Sequence, residues 1–304
     1  CILNLEKNEG GAGGFYAGMK MAREMTGITG VWIMDDDTIP TPTCLEELLR
    51  SASFLKDQYS FLASSVYGPN GEYMNVPTID NRASSSGYAD WYRYLRDGLV
   101  AVREATFVSL LINRKAMESC GLPCKNFFIW GDDSEYTTRL VRYCDKAYMV
   151  GSSVAIHKRK GGKALSLEEE TNSQRIRFFS LQMRNSATIL LYYNGWHALF
   201  NYEKQCVKRC LSLLLRGRIS RAAIIIKSIF IDGLKTDISG NTYTFTNIQK
   251  SHAIHVEFEE KQPTHIIFSK DGELNPVIPQ DRTKEILWGN DNRWYLDPNT
   301  FVET

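Results

Sequence analysis

Val31-Trp32-Ile33-Met34-Asp35-Asp36-Asp37 is the stretch on which the reading of this chain turns. Four apolar residues bounded by polar ones predict a short buried strand. Three carboxylates follow, and then Thr38-Ile39-Pro40, which cannot continue a strand inside a sheet because proline lacks the donor. Three acidic groups at the end of a buried strand repel one another unless a cation neutralises them. Two readings stand side by side: oxygen ligands for a hard divalent metal shared with a phosphate, or an acidic turn capping the next helix.

Working outward on the N-terminal side, Ile2-Leu3-Asn4-Leu5 resembles the middle of a strand. With Cys1 ahead of it, the expectation is of a chain that has lost its first strand. Asn8-Glu9-Gly10-Gly11-Ala12-Gly13-Gly14 predicts a glycine loop whose backbone can approach a ligand closely. Phe15, Met19, Ala22 and Met25 then recur at helical spacing. A glycine loop opening a helix suits a phosphate or a sugar, although a plain tight turn has the same composition. No dinucleotide fingerprint or P-loop is spelled out.

On the C-terminal side, Thr43 and Glu46 form a capping-box pattern opening a helix to about Lys56, and Ser60–Val66 reads as another buried strand. Strand, helix, strand, helix, strand predicts an α/β layer with a mostly parallel sheet flanked by helices. Residues 67–99 break the rhythm with an aromatic group that includes Trp91 and Tyr92. These rings either face sugar surfaces or pin the insertion to the core. Ala105–Asn113 reads as a strand, a short helix ends at Gly121, and Ala147–Val150 reads as a further strand.

A second informative stretch is Asn126-Phe127-Phe128-Ile129-Trp130-Gly131-Asp132-Asp133-Ser134-Glu135-Tyr136. Acidic residues in a first helical turn are ordinary capping chemistry. Their pairing with the earlier Asp cluster on the same kind of layer favours a site, because such sheets gather functional groups at strand carboxyl ends. Beyond them, His157 leads a cationic run, Lys158 to Lys163, that suits a diphosphate.

Composition bounds the rest. In 304 residues, 36 Lys and Arg nearly balance 35 Asp and Glu, so no global field points to nucleic acid. Seven cysteines without matching metal-ligand pairs predict reduced thiols and a cytoplasmic protein. No apolar run reaches the roughly 18 to 20 residues needed to span a bilayer.

Taken in order, the motifs Asn-x-Gly-Gly-Ala-Gly-Gly, Asp-Asp-Asp after an apolar strand, Phe-Phe-Ile-x-Gly-Asp-Asp-x-Glu-Tyr and His resemble a family 2 glycosyltransferase of the GT-A fold. Galactofuranosyl- and rhamnosyltransferases of bacteria are the nearest kind. Phe178-Phe179 followed by Arg184-Asn185 resembles the family's helix beyond the catalytic domain. The resemblance implies an inverting transfer from a UDP- or dTDP-sugar to a growing glycan or lipid-linked acceptor, with Mn²⁺ or Mg²⁺ at Asp35, Asp37 and His157. It implies Asp133 as the base, with Asp132 beside it and Glu135 as the competing acid. It implies donor contacts from Asn8, Gly10, Gly11, Gly13, Gly14, Asp35, Asp36 and Trp130, and acceptor contacts from Trp91, Tyr92 and Trp130. Like charges at Asp132 and Glu135 would raise the carboxyl pKa of Asp133, while the helix N-terminus would lower it.

The expected organisation is a catalytic domain over 1–164, a basic helical region over 165–235 and a small β-rich or extended appendage over 236–304. Residues 203–235 carry a net charge of +6 among leucines and isoleucines, which fits either a peripheral contact with an anionic membrane at the cytoplasmic face or a helical pair packed on the catalytic domain. Two alternatives to transfer remain: an inactive sugar-binding scaffold, and a sugar-phosphate nucleotidyltransferase. The second would want a basic residue inside its glycine loop, and Gly10–Gly14 has none.

Overall fold

The computed structural model describes residues 2–159 and 166–228, together with the backbone of two short strands near the C-terminus, Ile286–Trp288 and Trp294–Leu296. The chain divides into two units, Cys1–Ile238 and Ser239–Thr304. In the second, the two strands pair antiparallel. The remainder of the expected appendage lies outside the described residues.

The first unit is built on a seven-stranded sheet: β1 (Gly30–Met34), β2 (Thr38–Pro40), β3 (Phe61–Tyr67), β4 (Thr78–Ile79), β5 (Leu99–Glu104), β6 (Ser109–Asn113) and β7 (Ala147–His157). Their order is β1-β6-β3-β7-β5-β4, with β2 also paired to β7. Strand periodicity sorts the side chains into two cores. Phe61, Ala63, Leu110 and Ile112 enter one with Met19, Met117, Tyr136 and Leu140, under helices α1 (Gly10–Glu24), α3 (Arg114–Cys120) and α4 (Asp132–Tyr143). Leu62 and Leu111, the alternate residues, enter the other with Leu48 and Ala52 of α2 (Cys44–Phe54). Trp91 and Tyr94 pack against this second core, which anchors the aromatic insertion.

The sheet is mixed rather than mostly parallel. Among its pairings only β3 with β7 is parallel. β6 runs between β1 and β3 and is antiparallel to both. β1, β3 and β7 therefore share one direction, as the strand–helix alternation requires, but their carboxyl ends are interleaved with returning strands that alternation alone cannot reveal.

Three further expectations are corrected. Ile2–Leu5 forms no strand, and its apolar side chains are exposed. The glycines Gly10 to Gly14 are the first turn of α1 itself and not a loop. Asn8 Oδ1 accepts from Gly10 N at 2.9 Å, and Ala12 N donates to Phe128 O at 3.1 Å. A Cβ on Gly10 would lie 2.1 Å from that same carbonyl, so glycine is required for close backbone packing. Cys120 and Cys144 form a disulfide between the ends of α3 and α4, contrary to the expectation of reduced thiols, because two helices remote in sequence end side by side.

Beyond the sheet, α5 (Ser173–Leu215) runs past Gly195, where a positive φ of 77° marks a kink, and α6 (Ile219–Ile226) folds back on it. Phe179, Met183, Cys206, Cys210, Leu213, Ala222 and Ile225 close a third core, with Trp130 packed against it. Arg209 pairs with Glu168, and Arg218 and Arg221 donate to the Glu168 carbonyl. Part of the basic charge of this region is thus used to hold its own chain. Among the described residues no helix is long and apolar enough to cross a membrane.

Candidate active site

The site begins where β1 ends. Asp35, Asp36 and Asp37 turn the chain, with Thr38 N donating to Asp35 O at 3.2 Å, and β2 then pairs with the end of β7, Thr38 opposite His157. A further backbone bond, Lys158 N to Asp37 O at 2.9 Å, extends that pairing. Proline at the end of β2 is tolerated because β2 lies off the main path of the sheet. The main-chain ladder thereby brings Asp37 against His157, whose Nε2 lies 2.9 Å from Asp37 Oδ1. Asp36 is exposed at the turn.

One ligand atom each from Asp35, Asp37 and His157 lies within 4.8 Å of the others. That spacing fits a single ion, since two cis ligands at about 2.1 Å from a metal are about 3 Å apart. Two carboxylates and one imidazole suit Mn²⁺ or Mg²⁺, with the nitrogen favouring Mn²⁺. Thr38 Oγ1, one residue beyond Asp37, is buried without a hydrogen-bond partner among the described residues. Burial raises the pKa of Asp35; the charge of His157 lowers it and those of Asp37 and Asp36 raise it.

The second acidic group arrives by a different route. Phe128, Trp130 and Gly131 all take positive φ, at 65°, 59° and 99°, so the chain turns sharply before α4 begins. Such a turn persists only when its surroundings fix it. Asn185 of α5 does so: fully buried, its Nδ2 donates to the carbonyls of Phe127, Ile129 and Trp130 at 3.1, 3.2 and 2.6 Å. Its Oδ1 accepts from Arg184. Trp130 is packed edge-on to Phe178 and tilted on Phe179. This packing carries its side chain toward α5.

With α4 so placed, Asp132 is buried and Asp133 half-buried. Burial pushes the carboxyl of Asp132 up to about 8, with Asp133 and Asp35 adding like charge. Burial likewise pushes Asp133 up to about 6; a hydrogen bond from Ser134 N opposes this, while Glu104 and Asp35 reinforce it. Asp35 is therefore felt at both acids, so the acids opening α4 lie within reach of the charge of the first cluster. The charges raising Asp133 come from Glu104 and Asp35 on other elements, not from Glu135 as expected.

Glu135 is reassigned. It is fully buried, and its carboxylate accepts from Arg139 Nε and Nη2 at 2.7 and 3.0 Å and from Tyr193 Oη at 2.5 Å. Arg139 also donates to the carbonyls of Cys120 and Leu122. All of these bonds face inward and tie α4 to α3 and α5. At helical spacing Glu135 shares the buried face of Asp132, three residues before it, and points nearly opposite Asp133, two residues before it, a signal the motif obscured.

The remaining expected contacts are distributed as follows. Asn8 is occupied with Gly10 N, and Gly10 and Gly13 meet Phe128 and Glu9, whereas Gly11 and Gly14 have open space beside them. Trp91 is packed against the second core with Tyr92 edge-on to it and exposed. Sequence reasoning missed Asn75, whose Oδ1 lies 2.8 Å from His157 Nδ1, and singled out Asn185 only within a helix motif, without the role it takes once α5 is docked.

The arrangement is thus three candidate metal ligands and an acid pair, one buried and one half-buried, on a mixed α/β sheet flanked by helices, with a helical region after it: a GT-A-like fold. Residues 1–108, about a third of the chain, match the family model Glycosyl transferase family 2, which supports a transferase as the enzyme class. The match takes in Asp35, Asp37 and Asn75 and ends before Asp132, Asp133 and His157, which rest on geometry. No curated protein matches the chain. Among solved structures, a similar chain is that described as "Crystal structure of GalNAc-T7 with UDP, GalNAc and Mn2+", at 12% identity and a TM-score of 0.41, covering 62% of this chain and 35% of that one. This chain thus spans about a third of that protein's length.

Proposed function

We propose that the protein is an inverting, metal-dependent glycosyltransferase that moves a sugar from a nucleoside-diphosphate donor to an acceptor hydroxyl. The observation that carries this reading is the shared field of Asp35, one of three clustered metal-ligand candidates, and Asp133, a partly accessible acid of raised pKa. Asp35, Asp37 and His157 would hold Mn²⁺ or Mg²⁺, which when bound neutralises the donor diphosphate and stabilises the departing nucleoside diphosphate. Asp133 takes the proton of the acceptor hydroxyl as that oxygen attacks the anomeric carbon. A carboxyl pushed up to about 6 is ionised at neutral pH yet more basic than an ordinary aspartate. Asp132, held higher by burial, keeps its proton at neutral pH and so spares Asp133 a second adjacent negative charge. A single displacement inverts the anomeric centre.

The motif resemblance extends this reading to a galactofuranose or rhamnose donor on UDP or dTDP, and to a bacterial cell-surface glycan or lipid-linked acceptor. Gly11, Gly14 and Asp36 are the residues left open for the donor, and Tyr92 for the acceptor. Trp196, Phe200, Val207, Leu211 and Leu215 are exposed along α5, near Lys204, Lys208 and Arg216, and support a peripheral contact with an anionic membrane on the cytoplasmic side.

The test is acceptor-dependent release of nucleoside diphosphate across a panel of nucleotide sugars with Mn²⁺ or Mg²⁺. Asp133→Asn is expected to lower kcat by about 10²- to 10⁴-fold while leaving metal affinity within about twofold. Turnover undiminished in that variant would remove Asp133 as the base.

A further inference from the structure

We infer that Asn75 is a positioning residue for the metal site: it fixes the tautomer and direction of the His157 ring. The inference rests on the metal reading of Asp35, Asp37 and His157 above.

Asn75 Oδ1 lies 2.8 Å from His157 Nδ1. An amide oxygen can only accept, so Nδ1 carries the hydrogen. In the neutral ring the lone pair then belongs to Nε2, the nitrogen that lies 2.9 Å from Asp37 Oδ1. A lone pair and a carboxylate oxygen facing each other at that distance repel unless a cation joins them. With Asn75 in place, the ring therefore presents its lone pair to the point where the carboxylates converge. A ligating histidine ordinarily has its other nitrogen held in this way.

The fold supplies Asn75 through a chain of specific contacts. Tyr67, the last residue of β3, pairs with Ile156, the residue before His157. After a turn closed by Gly68 N to Glu72 O at 2.7 Å, the chain comes back, and Met74 N donates to Val66 O at 3.1 Å. Met74 is buried against Val66 and Val108, which fixes the position of its neighbour Asn75. Asn75 itself takes φ of 48°, a left-handed conformation that asparagine, aspartate and glycine accept more readily than other residues.

That conformation makes the test clean. Asn75→Gly keeps the backbone allowed and deletes only the amide, whereas Asn75→Asp keeps an acceptor for Nδ1. Mn²⁺ binding to the full chain is measured calorimetrically, with the ring ¹⁵N shifts of His157 recorded without metal. In Asn75→Gly, Mn²⁺ affinity is expected to fall about 10- to 100-fold, and the ring to lose its single tautomer. In Asn75→Asp affinity stays within about threefold of the parent. Parent-like affinity and an unchanged tautomer in Asn75→Gly overturn the inference. A loss in Asn75→Gly that Asn75→Asp does not restore also overturns it, since the loop and not the acceptor would then matter. If the parent binds no Mn²⁺, or Asp37→Ala binds it as the parent does, the metal reading itself falls and the inference with it. That pattern is distinct from the first, where Asp37→Ala loses binding and Asn75→Gly keeps it.

Discussion

The carboxylates after β1 and those opening α4, which we propose act in one site, are held by different means. Asp35 and Asp37 are placed by main-chain pairing of β2 with β7 and remain half-exposed beside an imidazole. Asp132 and Asp133 are placed by side chains: Asn185 on the preceding carbonyls, and Glu135 with Arg139 and Tyr193 beneath. Half-exposed carboxylates next to a nitrogen ligand can take up a cation from solvent. The buried Asp132 and half-buried Asp133, at a crowded helix start, instead hold protons more tightly. In the proposed mechanism the same residue type thus serves charge binding in one place and proton transfer in the other, and the surroundings of each cluster set the difference.

The comparison breaks most sharply at Asp37. Asp37→Ala is expected to remove metal-dependent transfer, a loss of about 10³-fold or more, and to abolish Mn²⁺ binding while leaving the melting temperature close to the parent's. Metal dependence identical to the parent's would show that the half-exposed cluster is not the ion site. On the other side, Glu135→Ala leaves the buried Arg139 without its carboxylate and is expected to cost about 3 kcal/mol of stability in a denaturant titration. If stability holds and only kcat falls, Glu135 belongs to the chemistry after all.

The smallest effect sharpens the proton side. Transfer should decline as pH falls below about 6, where Asp133 takes up its proton. For stability the sign is the opposite: a carboxyl whose folded pKa is raised binds more protons in the native state, so stability falls as pH rises from about 4 toward 8. With chelator present, Asp132→Asn should therefore melt higher than the parent at pH 8, and together with it at pH 3.5. Equal melting at pH 8 would show that Asp132 carries no burial penalty.

Local pattern made much of this legible. Val31–Met34 reads as a strand because four apolar residues in a row have few other uses, and the helices after Thr43 and Gly131 follow from periodicity. The clustering of Asp35, Asp37 and His157 was reached only through resemblance to a family, since 120 residues separate Asp37 from His157 in the chain. Gly10–Gly14 misled because four glycines in five positions look like a loop, whereas close approach of the Phe128 carbonyl makes them a helix start. Glu135 misled because the run Asp-Asp-x-Glu does not say which face of α4 is turned inward.

What the sequence by itself determined is the set of elements and the chemical types they carry, because period and capping are properties of neighbouring residues. Tertiary structure decided the rest: which strands run antiparallel, which of three acids on α4 is consumed by Arg139, and that Asn75 and Asn185 stand behind the site. Those outcomes depend on contacts between residues tens of positions apart, where burial and the field of distant charges, not local spacing, set each group's role.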